Sequence, residues 1–381
     1  MHPGPTHRSR RPRRHRPRRP RRPGTRRCRV SGSGGDTTAP EAPTGISPGP
    51  VTAWLAERVP DLARPLSFEL ITGGRSNLTF RVTDAEGRRW VLRRPPTGHV
   101  LASAHDVARE HRIIAALTDT PVPVPPLVGL CTDESVNGAP FYVMGWVDGI
   151  VVRDRAIAET VDPAVRPVMT RSLVDTLADL HALDPDAVGL GDLGRKQDYV
   201  ARQLRRWKRQ VDEGSDRELP LLHELHDRLA ADIPPQQGAG IVHGDYRLDN
   251  CMMGHDGHVA AVLDWELCTL GDVLADLAGM VMWWGDADSP RPAFPEVPTA
   301  AEGFGTAEEV IARYAERSPR DLSRLDWYIA FQYWRLACIS EGVRVRYALG
   351  AMGDQDPAEA AGVMERIDRL LDNADRILSG A

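Results

Sequence analysis

The residues best suited to chemistry lie between Ile241 and Glu266, in the stretch IVHGDYRLDNCMMGHDGHVAAVLDWE. A short apolar entry leads into the polar loop His243 to Asn250. That loop holds four groups able to bind magnesium or move a proton, and little that could fill a core. Two apolar arms follow, Cys251 to Met253 and Val259 to Leu263, with His255-Asp256-Gly257 as the β-hairpin turn between them. Asp264 then leaves the second arm, directed back toward the loop. This layout suits phosphoryl transfer, in which one carboxylate orients the attacking hydroxyl while an amide and a second carboxylate hold magnesium on the phosphates. A lone Asp or Asn would read as a turn builder; the ordered set Asp245, Asn250 and Asp264 does not.

His-x-Asp-x4-Asn, a strand and then an Asp share the spacing of the protein-kinase signature, with Gly244 in place of Arg and Asp264-Trp265-Glu266 in place of Asp-Phe-Gly. HGD-x4-N, the apolar strand, LDWE and the trailing Gly271 to Ala278 together resemble the aminoglycoside phosphotransferase family, the small-molecule branch of the kinase-like fold. The resemblance implies Asp245 as catalytic base and Asn250 and Asp264 as metal ligands. The runs WVLRRPP, SAHDVAREHRIIAAL and FYVMGWVDG are similar to a narrower subgroup, the kinase-like domains fused to acyl-CoA dehydrogenases.

The elements that must position this loop begin near Val51. Leu66 to Leu70, Leu78 to Val82 and Trp90 to Leu92 read as three strands. Their first connection, Thr72 to Asn77, is glycine-rich and polar. By the resemblance it covers ATP phosphates, which makes Gly73, Gly74, Ser76 and Asn77 nucleotide-binding candidates. The third strand should deliver a cation to the phosphates. The family usually has Lys there, but this chain contains only Lys196 and Lys208, and the strand reads Trp90-Val91-Leu92-Arg93-Arg94. Arg93 is the inward cation by strand alternation if Val91 also faces inward. An Arg follows Val-Leu in the subgroup as well. A helix opening at Ser103, with Asp106 three residues on, buries Val107, Ile113, Ile114 and Leu117 and carries Glu110 as the implied partner of Arg93. Residues 121–130 read as a rigid proline-rich connector. Phe141 to Trp146 is an apolar strand running into Val147-Asp148-Gly149, which resembles the adenine-binding hinge and marks Met144 and Trp146 as nucleotide-binding.

From Ala164 onward the periodicity is helical: 164–181, 197–211, 220–231, 273–284, 325–347 and 358–378. His181 reads as a helix-end residue. Trp327, Tyr328, Phe331, Tyr333 and Trp334 read as core, with one ring available to an acceptor pocket. Arg202, Arg205, Arg206 and Arg209 fall at i, i+3, i+4 and i+7, one cationic stripe. The stripe is either a solvated face or a border of the acceptor cleft suited to a phosphate-bearing substrate.

The fold class expected is α/β (α+β): a two-lobed protein-kinase-like fold with a small antiparallel-sheet N-lobe and a mainly helical C-lobe. Residues 1–50 form an Arg/Pro-rich tail unable to build a core, 51–146 the nucleotide-binding N-lobe, and 147–381 the catalytic and acceptor-binding C-lobe. Thirteen arginines and no acid lie in residues 1–29. The remainder has 35 basic against 53 acidic residues, a net charge of −18, which argues against nucleic acid as a partner. No apolar run reaches ~18 residues, so no membrane span is expected. Five cysteines without a CxxC pair fit a reducing cytoplasm. The implied reaction is ATP- and Mg2+-dependent transfer to a hydroxyl of a small molecule, a hydroxyacyl-CoA-type metabolite being favoured. The alternatives are an antibiotic such as an aminoglycoside as acceptor, or a catalytically weak nucleotide-binding regulator.

Overall fold

The computed structural model describes Met1 and residues 43–71, 77–97, 106–284, 294, 296–348 and 357–380. Residues 2–42 of the expected tail, Gly73, Gly74 and Ser76 of the phosphate loop, and Ser103 lie outside the described residues.

The N-lobe runs α1 (Pro48–Ala56), β1 (Ser67–Leu70), β2 (Leu78–Thr83), β3 (Arg89–Arg94), α2 (Val107–Leu117), β4 (Leu127–Cys131), α3 (Glu134–Asn137) and β5 (Phe141–Gly145). The strands form one antiparallel sheet of order β1-β2-β3-β5-β4. Alternation assigns its two faces. Phe80, Val82, Trp90, Leu92, Phe141 and Val143 pack under α1, where Trp54 meets Phe141 edge-on at 5.0 Å. Val91, Arg93, Tyr142 and Met144 face the other way, toward α2 and the C-lobe. Arg94 shares the α1 face, and its guanidinium donates to the carbonyls of Gly45 (2.5 Å) and Asn137 (2.9 Å).

Two expectations need correction here. Asp106, not Ser103, caps α2, its side chain accepting from the Arg109 N–H at 2.9 Å. The 121–130 segment is not only a connector, because Leu127–Cys131 is an edge strand paired with β5. At an edge the outer side needs no ladder donors, so the preceding prolines and Gly129 are compatible with a strand.

The C-lobe adds α4 (Arg155–Thr160), α5 (Arg166–Ala182), α6 (Tyr199–Gly214), α7 (Pro220–Ala231), β6 (Gly240–Val242), β7 (Cys251–Met253), β8 (Val259–Val262), β9 (Thr269–Gly271), α8 (Leu274–Met282), α9 (Ala307–Arg317), α10 (Leu325–Ala348) and α11 (Pro357–Ser379). Helix α8 is buried along nearly its whole length, as its pattern, apolar but for Asp276, dictates. Helix α10 packs against it with Trp327, Tyr328, Phe331 and Trp334 in the core. Sequence patterning passed over α9, although Thr306 and Glu309 form a full capping box there. β9 was also passed over. It pairs with β6, and three residues are too short to show a period.

Where the lobes join, Ile150 and Met253 exchange backbone hydrogen bonds of 2.8 and 2.9 Å. A Cβ on Gly149 would lie 2.5 Å from the Met253 carbonyl oxygen, and the Gly149 φ is +155°, so this close approach requires glycine. Among the described residues no helix is long and apolar enough to cross a membrane. Cys131, Cys251, Cys268 and Cys338 are free and buried; burial pushes the Cys251 thiol up to about 12, as suits a packing role.

Candidate active site

Strand β6 delivers the chain into the His243–Asn250 loop, whose backbone is held from below by Asp276. That carboxylate accepts the N–H of His243 and the N–H of Gly244 (2.8 Å), and His181 Nε2 lies 3.5 Å away. His181 stands in the last turn of α5, as expected of a helix-end residue, and is buried between Asp276 and the Tyr314 hydroxyl (2.8 Å), where it also serves as a structural link. Burial opposes ionisation of Asp276, but the bonds from His181 and the loop backbone overcome it and keep its pKa below the usual carboxylate value. Gly244 has φ +90°, and a Cβ there would sit 2.9 Å from the Leu267 carbonyl oxygen. This accounts for glycine at the position where protein kinases carry Arg.

His243 is not positioned as a ligand: its Nε2 bonds the Leu263 carbonyl oxygen at 2.9 Å and its Nδ1 accepts the Asp245 N–H at 3.3 Å. It thereby fastens the loop to the strand that carries Asp264. The Leu263 N–H also donates to the Asn250 carbonyl at 2.9 Å. Asn250 Nδ2 donates to the Asp245 carboxylate at 2.9 Å and to its carbonyl at 2.8 Å. Asp264 follows with φ 61° and ψ 60°, a left-handed conformation that Asp tolerates and that turns its carboxylate toward the N-lobe.

Arg93 answers it. Its Nη2 lies 2.7 Å from Asp264 Oδ1 and 3.8 Å from Glu266, and its Nε is 3.2 Å from Glu110. Burial alone would lower the Arg93 pKa, but Glu110, Tyr142 and Asp264 outweigh it and raise it. Glu110 is 2 % exposed and accepts from Asn77 (2.6 Å) and from the Tyr142 hydroxyl (3.1 Å). Burial pushes its pKa up to about 7, against the pull of Arg93. Asn77 therefore differs from its expected exposure to phosphate. Its amide is spent on α2, because the first residue after the glycine-rich connection is already inside the lobe.

Arg93 and Asp264 also line a cavity of about 230 Å³ between the lobes, walled by Val91, Met144 and Trp146 on one side and Met252, Val262 and Leu263 on the other. Two further cavities flank the Asp245 loop. One, about 240 Å³, is lined by Asp245, Arg247, Leu267, Met282, Arg335 and Leu336. The other, about 450 Å³, is lined by Arg153, Arg247, Trp283, Phe294, Arg366 and Arg369.

Arg202, Arg205, Arg206 and Arg209 line none of these three cavities. Arg202 bonds the Arg195 carbonyl at 2.7 Å, and Arg205, Arg206 and Arg209 are exposed on α6. The acceptor-side ring expected from α10 is likewise replaced by Gln332, Arg335, Leu336 and Ile339, while Trp327, Tyr328, Phe331 and Trp334 stay in the core.

Arg247 and Asp276 escaped notice in the sequence. Arg247 sits inside the loop, its Nε 3.2 Å from Asp245 and its Nη1 2.9 Å from Asp249, with its guanidinium 4.6 Å over the Trp283 ring. Beside Asp245, burial pushes Asp249 up to about 6, with Arg247 opposing. The only hint of Asp276 was its place in the segment trailing LDWE.

Residues 67–328 match the phosphotransferase enzyme family. Acyl-CoA dehydrogenase family member 11 of Gallus gallus is 35 % identical over 315 residues, covering 80 % of this chain and 40 % of its own. Family member 10 of Mus musculus is 32 % identical over 310 residues, covering 80 % of this chain and 29 % of its own. The chain thus spans well under half the length of these relatives.

A candidate aminoglycoside phosphotransferase from Ralstonia eutropha superimposes with a TM-score of 0.74 at 32 % identity, covering 87 % of this chain and 99 % of that one. The fold alone is shared with an aminoglycoside phosphotransferase in ternary complex with ADP and hygromycin B, at TM-score 0.55 and 15 % identity over 85 % of this chain and 98 % of that one. The family match and identities of 32 % and 35 % go beyond likeness of fold: the chain belongs to the aminoglycoside phosphotransferase family, in a subgroup similar to the kinase-like domains of acyl-CoA dehydrogenase family members 10 and 11.

Proposed function

We propose that this phosphotransferase moves the γ-phosphoryl group of ATP, with magnesium, to a hydroxyl of an anionic small molecule of the hydroxyacyl-CoA type. The observation that carries the reading is the convergence of Arg93, backed by Glu110, with Asp264 at the wall of a largely apolar interlobe cavity, next to a loop in which Asn250 anchors Asp245. The apolar walls, Met144 and Trp146 among them, suit a flat base. Arg93 offers phosphate a planar fork of donors, with Glu110 as its positioning partner. The Gly73, Gly74 and Ser76 connection is assigned to the phosphates as well.

Asn250 and Asp264 would hold magnesium, which when bound neutralises charge shared by the phosphates. Among the described residues there is no cluster of three or more His, Cys, Asp or Glu that could hold a metal. An amide and one carboxylate still fit, because magnesium takes few protein ligands and completes its shell with phosphate oxygens and water. Asp245 orients the acceptor hydroxyl and takes its proton as the oxygen attacks the γ-phosphorus; the bond to the bridging oxygen breaks and ADP leaves. Acceleration comes from positioning and fixed charge, with no covalent intermediate.

The test is ADP release and labelled product formation by the full chain with ATP and magnesium, against hydroxyacyl-CoA thioesters and against aminoglycosides. Turnover on the thioesters supports the reading. Turnover on aminoglycosides alone points to an antibiotic acceptor, the reading that the Ralstonia eutropha likeness favours. Nucleotide binding without turnover on either points to a regulator.

A further inference from the structure

We propose that the cavity of about 450 Å³ beside the Asp245 loop is the phosphate-recognising arm of the acceptor site, and that Arg247 joins it to the catalytic carboxylate. The inference rests on the phosphotransferase reading above and goes beyond it by assigning the anion's place.

Four arginines face this space, and they come from three separate parts of the chain: Arg153 from the segment after the interlobe linker, Arg247 from the loop, and Arg366 and Arg369 from one face of α11. Two carboxylates, Asp249 and Glu296, share the wall, and Asp249 is already paired with Arg247 at 2.9 Å. Among the described residues, Arg153 and Arg366 enter no close ion pair, although the charge of Arg153 also favours ionised Asp249. Arg369 has Glu365 at 3.8 Å on its own helix, an exposed pair that contributes little. Beyond residue 29 the chain carries a net charge of −18, so carboxylates to neutralise these arginines were abundant. Like charges held around one space repel one another. Packing does not require such a gathering, and a bound polyanion explains it.

The remaining walls fit the same occupant. Trp283 and Phe294 stack with ring centroids 3.9 Å apart, and the Arg247 guanidinium lies 4.6 Å over Trp283, so the shared arginine rests on an aromatic platform. Arg247 and Trp283 also line the neighbouring cavity of about 240 Å³, which contains Asp245 and joins an apolar wall of Leu267, Met282, Leu336 and Ile339 to the polar side chains of Asp276, Gln332 and Arg335. The two cavities thus adjoin at Arg247 and Trp283, and together they reach the size range of ordinary ligand sites. An acceptor with phosphates at one end and a hydroxylated apolar chain at the other would bind by its phosphates to the arginines and present its hydroxyl to Asp245. A polycation would meet four like charges.

The experiment uses the full chain and three acceptors sharing one hydroxyacyl group: the CoA thioester, the uncharged pantetheine thioester and the free hydroxy acid. Arg366→Glu/Arg369→Glu changes two exposed residues of α11, and its folding is checked by melting temperature. It is expected to raise KM for the CoA thioester on the order of tenfold or more, with a small change in kcat, and to leave KM for pantetheine unchanged. Arg205→Glu/Arg206→Glu, on the α6 stripe, is expected to behave as wild type.

An unchanged KM for the CoA thioester in the α11 variant overturns the proposal, as does a loss confined to the α6 variant. Sensitivity confined to the free acid also overturns it, assigning the arginines to a carboxylate. If none of these three acceptors is turned over, the hydroxyacyl acceptor reading fails by itself, and calorimetry with coenzyme A then decides: weakened binding in the α11 variant keeps the anion site, and equal or absent binding removes it.

Discussion

Arg93 and Asp264 are 171 residues apart in sequence, and their side chains meet at 2.7 Å between the lobes. Arg93 is the third-strand cation and Asp264 the carboxylate at the end of the second hairpin arm, so one ion pair spans the place where nucleotide phosphates would lie. Replacing Arg93 by Ala should raise KM for ATP and lower turnover, together about 10–100-fold, the value of one charge-assisted contact. Arg93→Lys should recover part of this, a point charge replacing a fork. Arg94 cannot take over, because it faces α1 and is bonded to the carbonyls of Gly45 and Asn137. Wild-type kinetics in Arg93→Ala would remove this residue from the nucleotide site.

Asp245→Asn keeps the size of the side chain and its neighbours. It should cost about 10²–10⁴ in turnover while nucleotide affinity measured by calorimetry stays the same. Asp264→Ala should do the reverse first, weakening nucleotide binding in the presence of magnesium more than in its absence. Near-normal turnover by Asp245→Asn would exclude it as the base.

Asp276 holds two consecutive loop N–H groups and lies beside buried His181. Asp276→Ala leaves those donors without a partner in the interior and should lower stability by about 3 kcal/mol, read from the urea midpoint. Turnover should fall further than nucleotide affinity, since the loop and not the cavity loses its support. A stability loss with normal turnover in the folded fraction would limit Asp276 to the fold.

Glu110 makes a prediction about pH. Its pKa is raised from 4.5 to about 7 in the folded protein, so between these values the folded state holds a proton that the unfolded state has released. Stability from this residue therefore falls as pH rises through that window. Glu110→Gln lacks the effect, so its melting temperature should decline less than that of wild type from pH 5 to pH 7.5. Parallel curves would mean that Arg93 keeps Glu110 ionised throughout.

The start of the N-lobe can be tested by truncation. The Gly45 carbonyl accepts from Arg94, and the Ser47 N–H donates to Asn137 at 2.8 Å. Removing residues 1–41 should leave the melting temperature unchanged, whereas removing residues 1–47 should lower it. A clear loss from the shorter deletion would assign the Arg-rich segment a structural role.

What the sequence determined by itself was the part written in short spacings. HGD-x4-N places an amide next to a carboxylate within one loop, and the hairpin after it returns Asp264 to that loop, because eight residues and a tight turn allow few other paths. Strand alternation put Arg93 opposite Arg94 for the same local reason, and helical periodicity located α5, α6, α7, α8, α10 and α11. Local reading erred where packing outweighed propensity: a proline-rich stretch became an edge strand once β5 supplied a partner, and Asn77 turned inward because Glu110 waited there. Only the tertiary structure decided which distant groups meet. Asp276 beneath the loop, Arg93 against Asp264, and arginines from three parts of the chain around one cavity have no signature in spacing. Their proximity is set by how α2, α8 and α11 pack, and that packing is a property of the whole core.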